Sequence, residues 1–234
     1  MLKRAVSFGV RLVILGLLLL PWGAQGVASC VDDDDAACIV IDEPMLPSVP
    51  AERSAAAVRS VLAPAQRKLI GLGDGKTALR LEDIERTEVD RLLGPAQVVR
   101  WGENREQLQC YVATRPGDAT VLYLLEYPEI VFEVTLLSDK RRLLQTPACL
   151  PTGTVHKGVR TAGGLRLGLR RAQVRAILGR PQWSGPDTDL YTAERDLPPR
   201  PGRDDGGTDW RKMLFRYDAR GVVRLLRISW NQLE

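Results

Sequence analysis

Three carboxylates within eight residues, Glu126, Glu129 and Glu133, are of the type that moves protons. One carboxyl donates while its neighbour accepts, provided both line one cleft and differ in pKa. The strand pattern puts Glu126 and Glu133 on different strands, so a solvated rim is expected of them. His156 is the only histidine, and with Cys149 it has the makings of a thiol–imidazole pair. A cysteine held in a disulfide is no nucleophile, however. Gly71 to Thr77 reads GLGDGKT, like the end of a phosphate loop. That motif needs Gly five residues before its Gly-Lys pair, where this chain has Ile70, so a turn is expected. Asp32, Asp34 and Glu43 fall at positions 1, 3 and 12 of a calcium loop. Ala36 and Ala37 occupy positions 5 and 6, which favours a solvated acidic segment. No Gly-x-Ser-x-Gly elbow occurs, and no catalytic, cofactor-binding or metal-ligating residue is assigned.

Surfaces remain. Trp183, Tyr191, Trp210, Arg211 and Arg216 lie in or beside strand-like runs, and they are the candidate partner-binding residues. Large aromatics and arginines anchor protein interfaces when they are exposed, although on a sheet face half of them belong to the core. The expected partner is an envelope protein. Nucleic acid is excluded on charge: the formal charge is +4 from 33 Lys and Arg against 29 Asp and Glu. Without Lys3, Arg4 and Arg11 the basic count is 30, close to neutrality.

Those three residues sit in an export signal. Two charges within Met1 to Arg4 precede the apolar run Leu12 to Trp22, which would reach about 16 Å as a helix, half of a bilayer core. Residues 1–26 therefore read as a secretory signal peptide, and the chain is expected to be exported, periplasmic or attached to the outer membrane from the periplasmic side. Val27-Ala28-Ser29-Cys30 also fits a lipobox, in which Cys30 would be acylated and give the only attachment to a membrane. Against this stand the Pro and Gly between the apolar run and Cys30. The even count of Cys30, Cys38, Cys110 and Cys149 suits two disulfides in an oxidising compartment. Both readings stay open, and Cys30 pairs with Cys38 only if it is not lipidated.

Residues 27–76 form an acidic, Pro-rich tether: from Cys30 to Glu52 there are seven acids and no Lys or Arg. The remainder is expected to be α+β, as two tandem units over 77–150 and 151–234. LRLEDIERTEVDRLLGP (79–95) aligns with LRLGLRRAQVRAILGRP (165–181). Each describes a short helix ending at Gly94 or Gly179 with a Pro beyond, and Thr87 is the expected N-cap of the first. Three strand-like runs follow each helix, at 107–114, 119–126 and 130–137, then 189–194, 209–217 and 222–230. Each copy thus reads as a helix and a three-stranded antiparallel meander, with a mobile loop at 185–209. Cys110 in the first strand of copy one and Cys149 beyond its last are expected to pair.

GLRLGLRRAQVRAILGRP, then Trp183, a variable loop and FRYDARGVVRLLRISW together resemble the SmpA/OmlA (BamE-like) family of outer-membrane lipoproteins. The shared features are Gly168, Val174, the exit Leu178-Gly179-Arg180-Pro181 and the turn Asp218 to Gly221. As a tandem of such units the chain is also similar to the β-lactamase inhibitor protein. The resemblance implies a fold and a non-enzymatic role in outer-membrane assembly or maintenance through protein–protein contact. The tandem form implies, as an alternative, a secreted inhibitor of an envelope enzyme. A small periplasmic hydrolase using the carboxylates near Glu126 is the second alternative. No binding residue transfers, because the matched positions are turns and core.

Overall fold

The computed structural model describes residues 59–73, 77–81, 85–101, 106–126, 131–139, 149–196 and 207–233. The signal segment, Cys30, Cys38 and Glu129 lie outside them. Among the described residues strands dominate, with two eight-residue α-helices. After a helical turn at 59–61 and a 3-10 turn Pro64–Arg67 come β1 (Lys68–Leu72) and β2 (Thr77–Arg80), then α1 (Arg86–Leu93). The strands β3 (Val99–Trp101), β4 (Glu106–Ala113), β5 (Val121–Glu126) and β6 (Val131–Leu137) follow. Two short strands, β7 (Leu150–Thr152) and β8 (Arg160–Thr161), lead to α2 (Arg171–Leu178). The chain closes with β9 (Trp183–Ser184), β10 (Thr188–Asp196), β11 (Thr208–Tyr217) and β12 (Val223–Leu233).

The large sheet has the order β3-β4-β5-β6-β12-β11-β10-β9, and β7 adds parallel to β4. Both meanders are antiparallel. They join edge to edge: β6 pairs with β12, with Leu137 opposite Leu225 and Val134 opposite Ile228. A second sheet, β2-β1-β8, lies apart from this ladder.

Alternation gives the large sheet two faces. The first carries Tyr111, Leu122, Leu124, Val134, Leu136, Leu226, Ile228, Met213, Phe215 and Tyr191. Both helices pack on it through Val89, Leu93, Val174 and Leu178, and the small sheet adds Leu69, Leu72 and Leu79. On the second face Leu108, Cys110, Val121, Tyr123, Leu125, Leu137, Leu190, Leu214 and Leu225 form a separate apolar cluster.

Each helix buries a pair at i and i+4, so one turn-to-turn stripe faces the sheet. Each ends at a glycine with positive φ, Gly94 at 93° and Gly179 at 85°, whose N–H closes on the carbonyl of Asp90 or Arg175. Thr87 is not the N-cap of α1. Glu85 holds that place, and the Thr87 hydroxyl sits inside the first turn, 3.5 Å from Glu85 Oε2.

Two further expectations change. The tether does not extend to residue 76, because Val61, Leu69 and Leu72 are buried in the main core and β1 belongs to a sheet. Within the expected loop at 185–209 the strands run a little further than expected: β10 and β11 pair from Thr188–Arg216 out to Asp196–Thr208, and 197–206 lie outside the described residues. Charge hid this extension, since Arg195 and Asp196 are exposed and polar but still pair with β11.

The disulfide expectation holds. Cys110 and Cys149 are bonded, with Cα atoms 4.6 Å apart. Cys149 enters β7, whose Leu150 lies beside Tyr111 in parallel register, so the bridge links neighbouring strands. Among the described residues no helix is long and apolar enough to cross a membrane.

Candidate functional site

Beneath each helix the first face of the sheet carries a polar cluster. Under α2 its centre is Asp189, whose side chain is fully buried. Arg171 and Arg175, one turn apart on α2, both donate to it, with closest contacts of 2.6 and 3.0 Å. Ser184 Oγ donates from 2.8 Å and Tyr217 Oη from 3.2 Å. Arg171 also lies 5.0 Å above the Tyr217 ring and donates to the carbonyls of Gly185 and Pro186. Burial alone would raise the Asp189 pKa, but the hydrogen bonds from Arg171, Arg175 and Ser184 win and hold it at about 2. Every acceptor is satisfied, so this cluster pins α2 to β9 and β10.

Under α1 the corresponding cluster is unsatisfied. Gln109 stands on β4 two residues before Tyr111, as Asp189 stands on β10 two residues before Tyr191. Each tyrosine hydroxyl reaches its helix-ending glycine, with Tyr111 Oη 3.2 Å from Gly94 O and Tyr191 Oη 3.3 Å from Gly179 O. Tyr111 Oη also lies 2.9 Å from Gln109 Oε1. Glu126, cross-strand from Gln107, is 0% exposed, and both its carboxylate oxygens lack a hydrogen-bond partner. Asp90 Oδ1 and Gln109 Nε2 are buried and unpartnered too. Burial pushes the Glu126 carboxyl up to about 7; Arg86 opposes this and Asp90 adds to it. Glu126 therefore carries its proton through most of the acidic range.

The two carboxylates expected on a solvated rim are separated by the sheet, and Glu126 is buried rather than on a rim. Glu126 belongs to the first face. Glu133 belongs to the second, where it accepts from Ser229 at 2.8 Å and pairs with Arg227 at 3.3 Å. His156 is remote from thiol chemistry, since Cys149 is disulfide-bonded. Its Nδ1 accepts the Gly158 N–H at 3.0 Å. The GLGDGKT segment joins two antiparallel strands rather than a strand to a helix, with Gly71 and Gly73 at positive φ. Among the described residues no cluster of three metal-ligating side chains occurs.

The five candidate partner-binding residues divide between the faces. Trp210 and Arg216 share the second face of β11 with Leu214, and Trp183 packs against the same apolar cluster; all three are part-exposed. Tyr191 and Arg211 are corrections. Both point to the first face and are buried, at 0% and 1% exposed, so neither presents its side chain to a partner. Arg211 instead donates to the Val61 carbonyl at 3.1 Å. Next to it Asp209 accepts from Arg67 at 3.3 Å and from Arg195 at 2.7 Å. Together they fasten residues 59–67 to β11. The strict alternation Asp209-Arg211-Met213-Phe215 was the available signal, since it places Arg211 on the same face as two core residues.

A further charged surface was not anticipated. Lys157, Arg160, Arg166, Arg170 and Arg180 are exposed. They belong to residues 149–186, which contain seven Lys or Arg and no Asp or Glu.

No family model and no curated protein matches the chain. One solved structure that it is similar to is a DUF4309 family protein, YjgB, from Bacillus subtilis subsp. subtilis str. 168. The identity is 12%, with 75% of this chain and 96% of that chain covered, and the TM-score is 0.33. An overlap of that extent carries no argument about function.

Proposed function

We propose that this chain is an exported bacterial envelope protein that acts by binding another protein, and that it is a tandem of two helix-and-meander units. The tandem reading is supported by the paired details of α1 with β3–β6 and α2 with β9–β12. Helix length, the buried i and i+4 pair, the positive-φ glycine and the tyrosine reaching that glycine's carbonyl all recur. The kinship we infer with SmpA/OmlA-like lipoproteins rests on the same elements. Export is supported by the Cys110–Cys149 bridge, because disulfides persist in oxidising compartments.

The observation that carries the binding role is the second face of the large sheet. There Trp183 packs against an apolar cluster and stays part-exposed, and Trp210 and Arg216, six residues apart on β11, are part-exposed on the same face. Part-exposed tryptophan and arginine are side chain types that anchor interfaces. The partner is a folded envelope protein; a hydrolase held by this face would make the chain an inhibitor. Affinity capture from envelope extract with the wild-type chain and with Trp210→Ala/Arg216→Glu tests the reading. A partner retained by the first and lost by the second is expected. Capture indifferent to these substitutions overturns it.

A further inference from the structure

Five arginines follow one another along the outside of the layer that covers the first face of the sheet. Arg160 and Arg166 stand opposite each other in an antiparallel bridge. The chain from Arg166 to Arg170 then runs beside the turn that joins β11 to β12. Gly168 N–H donates to Val223 O at 3.0 Å, Val223 N–H donates to Leu169 O at 2.8 Å, and Arg170 bridges Val222. Arg220 and Arg224 flank that contact, and all five arginines are exposed. Leu165, Leu167 and Leu169, which alternate with Arg166, Gly168 and Arg170, are buried in the main core.

The charge along this line is not offset from within. Among the described residues Asp218 is the only ion-pair partner of any of the five, at 2.8 Å from Arg224 and 3.6 Å from Arg220. Arg160 and Arg166 reach only backbone carbonyls, Gly158 O at 3.4 Å and Leu167 O at 3.3 Å. Like charges placed opposite each other across paired backbones cost stability. The charges of Arg160 and Arg166 therefore do not serve the fold. Their chemistry suits carboxylates, because a guanidinium presents several N–H donors in one plane. Arg224 displays this pairing, gripping one Asp218 oxygen through Nε and Nη2 at 3.0 and 2.8 Å. A bilayer fits less well. From residue 157 to 170 the exposed residues besides Lys157 and the arginines are Ala162 and Gly168, so no aromatic or long aliphatic side chain is offered for insertion.

We propose that Arg160, Arg166, Arg170, Arg220 and Arg224 form a docking surface for an acidic polypeptide segment of another protein. Its Asp and Glu side chains would pair with the guanidiniums that Asp218 leaves uncompensated. The inference does not rest on the binding role proposed for Trp183, Trp210 and Arg216, which belong to the second face.

Fluorescence anisotropy of a labelled oligoglutamate peptide titrated with the chain tests it. Binding is expected at 20 mM NaCl and should weaken at least tenfold at 0.5 M NaCl, where the screening length drops to about 4 Å. R160E/R166E should weaken it at least tenfold at low salt. The control R59E/R91E makes the same change of charge at two other exposed arginines and should stay within twofold of wild type. W210A/R216E, on the second face, should also leave it unchanged, which separates this surface from the one proposed above. An unchanged thermal midpoint shows that each variant has folded, and R160Q/R166Q, which removes charge without reversing it, should weaken binding in the same direction. Absence of binding at low salt would overturn the proposal, as would equal losses in R160E/R166E and R59E/R91E. So would stripe-dependent sedimentation with phosphatidylglycerol vesicles that is tighter than peptide binding at equal anion concentration, which would assign the arginines to a lipid surface.

Discussion

Glu126 and Asp189 show how the polar clusters under the two helices hold opposite electrostatics. Asp189 is a buried anion with two guanidinium partners, and Glu126 is a buried acid without any. Their pH dependences have opposite signs. Glu126 has its pKa raised from 4.5 to about 7, so the folded state binds more protons than the unfolded chain between those values. Its contribution is full below pH 4.5 and is lost as pH rises through 7, on the order of 3 kcal/mol. Asp189 has its pKa lowered to about 2, so its contribution is present above pH 4 and lost as pH falls through 2. Denaturant titrations from pH 4 to 8 should show wild-type stability declining toward neutrality, with Arg86, Asp90, Gln107, Gln109 and Tyr111 unchanged around the carboxyl. Glu126→Gln should flatten that slope and exceed wild type at pH 8. An unchanged slope would mean that Glu126 ionises freely. Neither cluster was legible in the sequence, because Asp189 and Glu126 are spaced like ordinary surface residues. Only the face assignment of their strands, together with the helix above, puts them inside.

At the scale of elements, the helices and six long strands were legible because their signals are local: alternating β-formers, a buried i and i+4 pair, and glycine at the helix exit. The short strands β3, β7, β8 and β9 were not, since two or three residues carry no periodicity and are fixed by what they pair with. The same limit hid residues 59–72, where a Pro- and Ala-containing stretch is held by Arg211 and Asp209 from 140 residues away or more. Gly94 tests the helix exit. Its φ of 93° suits glycine alone, and an added Cβ would meet Leu150 Cδ2 at 2.9 Å. Gly94→Ala should lower stability by about 1–2 kcal/mol, measured as a shift in the denaturation midpoint. A neutral result would show that β7 can move aside.

The whole molecule is joined by the pairing of β6 with β12 and by a core that runs under both helices without a break. Calorimetry of the chain should therefore give one cooperative transition, with calorimetric and van't Hoff enthalpies equal. Two resolved transitions would mean that the halves unfold separately. The seam also sets an order in time. Its β6 side, Val131–Leu137, is synthesised long before its β12 side, Val223–Leu233. Until that last strand arrives, one flank of the first meander is an open row of backbone donors and acceptors, the kind of template on which foreign strands add. Late pairing between distant segments is slow, so the nascent chain passes through an interval in which a chaperone that covers strand edges would decide its yield.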